Sequence, residues 1–319
     1  MSLYRTRLPQ LGDRLFIADG GLETTLIFHD QIDLPCFAAF DLLKDNAGTA
    51  TLERYFVRYA ALARDEGVGI VLETPTWRAN PDWGQRLGYD AAALAAVNRK
   101  AVDLLLRVRA AWQTRDVPIV ISGNLGPRGD GYRVDTRMSA IDAAAYHRPQ
   151  LEAFAASEAD MAGAFTMNYI DEALGIALAA KACELPVAIA FTVETDGRLP
   201  SGDTLEDAIE RTDGESDGYP VYYLINCAHP AHFETTLRQG GSWLQRIRGV
   251  RANASRRSHA ELDEATELDD GDPAELGAQY AALRRFLQRM NVAGGCCGTD
   301  DRHVEQICRA LKGAVPAAH

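Results

Sequence analysis

The chain has 319 residues, 47% of them hydrophobic and 24% charged, which excludes wholesale disorder and any collagen-like or low-complexity chain. Its net charge of −12, with no basic patch beyond short arginine clusters, excludes a nucleic-acid binder and suits small or cationic ligands. No apolar run reaches the ~18 residues that a membrane helix needs. No apolar core follows Arg5 and Arg7, so no secretory signal is read and a cytoplasmic setting is expected.

In chain order, apolar runs of five to eight residues alternate with helical periodicity. The first strand is expected at Leu15–Asp19, followed by a helix over Leu52–Glu66 and a strand at Gly69–Thr74. A helix over Ala91–Gln113 leads to a strand at Pro118–Asn124. The next helix, Ile141–Ala159, is opened by a capping box of Ser139 and Asp142 and leads to a strand at Met161–Thr166. Then come helix Glu172–Cys183, strand Val187–Glu194, helix Leu205–Glu210, strand Val221–Cys227, helix Pro230–Arg238 and strand Ile247–Asn253. The stretch from Glu261 to Asp272 holds seven acidic residues and reads as a mobile, solvated loop, since like charges repel. Its functional reading is an active-site lid. Helix Ala274–Met290, strand Val292–Cys297 and helix Asp301–Lys312 complete the chain.

Eight buried strands alternating with helices predict an α/β fold, a single (β/α)8 TIM-type barrel. With no internal repeat and no long linker, residues 1–319 are expected to be one domain. An open doubly wound sheet is the alternative. It calls for a glycine-rich phosphate loop after the first strand, and Ala18-Asp19-Gly20-Gly21-Leu22 lacks that spacing.

In such a barrel the chemistry sits where strands end. Three of the six cysteines fall at two of these exits: Cys227 after the sixth strand, Cys296 and Cys297 after the eighth. The two exits should lie roughly 10 Å apart, two strand spacings of about 4.8 Å. Thiolates from both sides can reach a common metal, and three soft ligands select Zn2+ with one position open. Cys36, Cys183 and Cys308 lie away from strand exits and read as small core residues. Two other readings of the exits stay open: buried cysteines with no metal, and a phosphate site on the backbone of Gly294-Gly295. Zinc held by three thiolates is a poor activator of water but suits a substrate thiol, because a coordinated thiol loses its proton. The residues thus point to alkyl transfer onto a thiol.

These motifs resemble the homocysteine S-methyltransferase family over nearly the whole chain, from Ala18 to about Ile307. The strongest match is Gly294-Gly295-Cys296-Cys297-Gly298-Thr299 with the upstream Asn226-Cys227. Supporting matches, in the family's order, are Asp19-Gly20-Gly21-Leu22-Glu23-Thr24, Thr74-Pro75-Thr76-Trp77, Gly123-Asn124-Leu125-Gly126-Pro127, Phe191-Thr192-Val193-Glu194 and Asn253-Ala254-Ser255. The resemblance implies the same barrel, with Cys227, Cys296 and Cys297 as zinc ligands and homocysteine as the acceptor converted to methionine. It places Asp19, Gly20 and Gly21 near the amino acid part of the substrate, with Thr74, Asn124, Thr166 and Asn226 among the contacts.

One position departs from the family. Where the family carries Glu-Thr at the end of strand four, its carboxylate on the substrate ammonium, this chain has Phe165-Thr166. Glu73 and Glu194, at neighbouring exits, are the candidates to replace that carboxylate, or else the acceptor is a different thiol. The implied donors are S-methylmethionine, S-adenosylmethionine or another small methyl donor, and the compact length resembles the sulfonium-using members. Trp77, Trp83 and Tyr132 are placed to face a cation, or else serve as ordinary packing. A barrel that binds a thiol metabolite without methyl transfer is the alternative function.

Overall fold

The computed structural model describes residues 2–134, 136–265 and 267–313. Its strands are β1 (Phe16–Ile17), β2 (Gly69–Glu73), β3 (Ile119–Leu125), β4 (Met161–Met167), β5 (Val187–Phe191), β6 (Tyr222–Asn226), β7 (Ile247–Ala252) and β8 (Val292–Gly295). Each pairs in parallel with the next, and β8 pairs with β1, so the sheet closes into the expected eight-stranded barrel. Closure removes every sheet edge, and helices between the strands cover the outside.

Side chains alternate across the barrel wall, because successive residues of a strand point to opposite faces. Ile70 and Leu72 of β2, Ala162 and Ala164 of β4, and Val250 and Ala252 of β7 pack outward in the large core beneath the helices. Val71, Met161, Phe165, Tyr222, Leu224 and Val292 fill the inside. Each such aliphatic side chain removed from water contributes roughly 1.5–3 kcal/mol. The same alternation decides what crowns the inner layer. Two positions beyond Val71 comes Glu73, two beyond Leu224 comes Asn226, and two beyond Gly249 comes Arg251. The barrel's apolar filling therefore ends in polar groups at the C-terminal mouth.

The sequence reading needs correction at several ends. β1 is two residues long, although Ala18 N–H and Asp19 O still bond to β8 at Ala293 O and Gly295 N–H. The helix expected over Ala274–Met290 is Pro273–Leu283, and that expected over Ile141–Ala159 is Ala140–Ala155. The short helix expected at Leu205–Glu210 runs to Ser216. Its polar last turns hold because Thr212 and Ser216 hydroxyls donate back to the carbonyls four residues earlier, each at 2.6 Å, and Asp213 anchors Arg246.

The described residues of the acidic stretch carry some local structure. It begins with a helical turn, His259–Asp263, under a capping box of Ser258 and Glu261. Asp269 accepts from Ser255 Oγ at 2.6 Å and faces Arg257, while Asp270 pairs with Arg302 at 2.8 Å. Two of its carboxylates, Asp269 and Asp270, are thus held by arginines that flank the stretch.

Candidate metal centre and thiol site

Cys227 follows β6 in a left-handed conformation, φ 56°. A non-glycine residue held there costs of order 1–3 kcal/mol and persists only when its surroundings fix it. They do: the Cys227 N–H donates to the Arg251 carbonyl at 3.0 Å, and its own carbonyl receives Asn253 Nδ2 at 3.0 Å and His259 Nε2 at 2.6 Å. Beyond β8, the Cys296 N–H donates to Ala252 O at 2.8 Å, and the Thr299 hydroxyl donates to Cys296 O at 2.7 Å. These clamps aim three sulfurs at one another. Cys227 Sγ lies 3.2 Å from Cys296 Sγ and 3.7 Å from Cys297 Sγ, and all three fall within 4.8 Å of each other.

Three sulfurs on a tetrahedral zinc with 2.3 Å bonds would be about 3.8 Å apart. The donor set and its spacing fit a metal, and all three cysteines are free of disulfides. Hydrogen bonds from Cys296 and Cys297 push the Cys227 thiol well up, while bonds from Cys227 and Cys297 hold the Cys296 thiol well below its ordinary value. The cluster thus favours one negative charge by itself; a cation is what would let all three ionise.

The thiols form one wall of a small cavity, which Asp19, Gly20, Gly21, Glu73, Thr74, Asn124, Thr166 and Asn226 also line. Its volume is about 90 Å³. At roughly 10–15 Å³ per water on the same measure, it admits a molecule of a handful of heavy atoms. Gly20 and Gly21 are required by close approach: a Cβ on Gly20 would meet Thr299 O at 2.8 Å, and one on Gly21 would meet Cys296 O at 2.6 Å. At β4 the pairing with β5 shifts between Ala164 and Met167, and Thr166 takes φ 63°. That bulge turns Thr166 toward β6. Its N–H donates to Asn226 Oδ1 at 2.9 Å, and Asn226 Nδ2 donates to its hydroxyl at 3.0 Å. Thr74 Oγ1 accepts the Asn124 N–H at 2.8 Å.

Glu194 is not brought to this cavity. Its side chain is 36% exposed and lies 3.3 Å from His259 Nδ1. Trp83 is also outside, its ring covered by Arg78 at 3.8 Å and Arg86 at 4.3 Å. Trp77 and Tyr132 do line it. The Tyr132 hydroxyl is 2.9 Å from Cys227 Sγ, and its ring stacks on His259 at 3.9 Å. A second, larger cavity, about 370 Å³, shares Thr24, Phe37, Trp77, Tyr132 and Cys297 with the first and extends under Leu262, Glu267, Leu268 and Asp269.

Three further groups went unread in the sequence. Glu23 lines the cavity, its carboxyl pushed up to about 7 by burial. His259 holds the Cys227 carbonyl. Arg251 is buried in an ion pair with Asp19, whose carboxyl is raised by burial against the pull of that arginine; Tyr55 Oη adds a hydrogen bond to Asp19 at 3.1 Å. A signal existed for Arg251: it stands two residues beyond Gly249 on the inward register of a buried strand, where a charge needs a partner.

The family model for homocysteine S-methyltransferase matches residues 16–311. The chain belongs to that family. A homocysteine S-methyltransferase of Escherichia coli K12 is 29% identical over 166 residues, so the match spans about half of each protein, 48% of this chain and 52% of that one. Homocysteine S-methyltransferase 1 of Arabidopsis thaliana is 22% identical over 317 residues and 93% of both chains. Among solved structures, the homocysteine methyltransferase MmuM of E. coli superposes with a TM-score of 0.70 in its metallated form, at 21% identity, covering 95% of this chain and 97% of that one. Its oxidized form gives 0.73, with 21% identity and coverage of 97% and 98%. Family membership thus accompanies a shared barrel. Among the described residues, no helix is long and apolar enough to cross a membrane.

Proposed function

We propose that this family member is a zinc-dependent enzyme that moves a methyl group from a small sulfonium donor to the sulfur of homocysteine, forming methionine. The observation that carries this is the convergence of Cys227, Cys296 and Cys297 beside a cavity of amino acid size. These three residues would hold the metal. When bound, zinc supplies the acidity that lets an acceptor thiol react as its thiolate near neutral pH. The acceptor sulfur bonds to the methyl carbon, and the carbon–sulfur bond of the donor breaks. The electron pair departs with a neutral thioether, and the acceptor's thiol proton goes to solvent.

The chain's own residues position the reactants. Backbone at Gly20 and Gly21 and the side chains of Thr74, Asn124, Thr166 and Asn226 frame the acceptor. The larger cavity, with Trp77, Tyr132, Phe28 and Phe37 on its walls and Asp130, Glu267 and Asp269 around it, suits a cationic donor such as S-methylmethionine or S-adenosylmethionine. Residues 1–319 are taken as one domain, working in the reducing cytoplasm where its cysteines stay free.

The test is to load the protein with zinc, add homocysteine with each donor in turn, and assay methionine. Methionine with S-methylmethionine supports the reading; zinc and thiol binding without methionine from any donor leaves a thiol-binding barrel. Phe165 favours one other reading, a different acceptor thiol, which the same assay detects by replacing homocysteine.

A further inference from the structure

The cavity lacks the strand-four carboxylate, yet two opposite charges enter it from other strands. Glu73 of β2 is 6% exposed, and its Oε2 is buried with no hydrogen-bond partner. Arg251 of β7 uses Nε on Gly295 O and Nη2 on Asp19 and Gly20 O. Among the described residues its Nη1 has no hydrogen-bond partner, although the residue lines the cavity. The Phe165 ring lies beside both. The guanidinium carbon is 5.2 Å from the ring centre, and the ring edge and Glu73 Oε2 flank the same point above Gly163. Glu73 and Arg251 attract one another but form no ion pair within 4.0 Å. The aromatic ring and the cavity separate them.

Glu73 and Arg251 both line the small cavity, one with a carboxylate oxygen short of a partner and the other with an Nη1 that makes no hydrogen bond, and so complement a molecule carrying both charges. We propose that Glu73 and Arg251 clamp the ammonium and carboxylate of an α-amino acid thiol, with Phe165 as the apolar spacer between them. This rests on the methyl-transfer reading and names how its acceptor is recognised. The ammonium donates to the Glu73 carboxylate, and the substrate carboxylate accepts from Arg251 Nη1. A thiol that lacks either group leaves the facing charge buried and unpaired, which is the costly case. Glu73 on β2 thereby takes the ammonium, and Arg251 on β7 takes the carboxylate.

The experiment compares three thiols on the zinc-loaded protein by calorimetry: homocysteine, 4-mercaptobutanoate and 3-mercaptopropylamine. The protein should prefer homocysteine over each of the others by roughly 10- to 100-fold. Glu73→Gln should weaken homocysteine by a similar factor and leave 4-mercaptobutanoate within about threefold. Arg251→Lys, which keeps the charge on Asp19 but loses the planar fork, should weaken homocysteine and 4-mercaptobutanoate and spare 3-mercaptopropylamine. Should Arg251→Lys fail to fold, Glu73→Gln decides alone. Equal effects of Glu73→Gln on homocysteine and 4-mercaptobutanoate, or none on either, overturn the clamp. So does a parent protein that binds homocysteine no better than 4-mercaptobutanoate; methyl transfer then still stands. If the zinc-loaded parent binds no thiol at all, the methyl-transfer reading fails along with the clamp.

Discussion

Replacing Cys297 by serine exchanges a soft anionic ligand for a hard neutral one while changing little in size. Zinc binding should weaken by roughly 100-fold or more, because a three-ligand site depends on each thiolate. Metal analysis of dialysed protein reads this directly; full zinc content in Cys297→Ser would defeat the cluster as a metal site. Cys36→Ser and Cys308→Ser, remote from the cluster, should keep their zinc. Glu73 gives a pH test. Burial pushes its carboxyl up to about 7 from an ordinary 4.5, so the folded state binds its proton more tightly than the unfolded state. The resulting stability is fully present below about 4.5 and lost as pH rises through about 7, amounting to about 3–4 kcal/mol at ~1.4 kcal/mol per unit. Urea unfolding at pH 5 and pH 8 should therefore show the parent losing stability relative to Glu73→Gln as pH rises. Parallel changes in the two proteins would show that Glu73 does not titrate in this range. The cysteines were legible in sequence because thiols are rare and three stood at strand exits. The role of Arg251 was not, because its meaning depends on a partner, Asp19, at the far end of the chain.

The bulge in β4 makes a claim about whole strands. Asn226 at the end of β6 accepts the Thr166 N–H and also donates to the Thr166 hydroxyl. Asn226→Ala strands both groups in the interior and should cost about 1–3 kcal/mol, read as a lower urea midpoint. Gly21→Ala forces β1's exit away from β8, since its Cβ would meet the Cys296 carbonyl at 2.6 Å. A backbone that must shift carries Cys296 with it, so zinc content should fall together with stability by about 1–3 kcal/mol; unchanged zinc content would mean that the exit relaxes without disturbing the thiols. At this scale the strands were readable because buried parallel strands are continuous apolar runs, and all eight were placed. The bulge was not readable, since Ala164-Phe165-Thr166-Met167 gives no turn signal and its conformation is set by Asn226 across the barrel. The ion pairs of the acidic stretch were unreadable for a related reason: Arg257 and Arg302 lie outside it in sequence.

For the molecule as a whole, the metal and the fold are separable. The barrel's two apolar cores do not include Cys227, Cys296 or Cys297, unlike a zinc finger whose folding energy is its metal. Chelation should leave the far-UV circular dichroism unchanged and lower the Tm only by the linkage of metal binding, a few kcal/mol at most for saturating zinc. Loss of helical signal on chelation would contradict this. The three proposed ligands follow β6 and β8, on either side of β7, while the residues proposed to frame the acceptor come mostly from the first half of the chain. β8 takes its place only when it pairs with β1, joining the two ends of the sequence. A nascent chain thus exposes Cys227 long before Cys296 and Cys297 exist beside it, and a single thiol holds zinc weakly. Metal capture is therefore an event of completion: in refolding, zinc uptake should lag the gain of helix and keep time with ring closure, which makes the ion a clock for the last pairing the chain achieves.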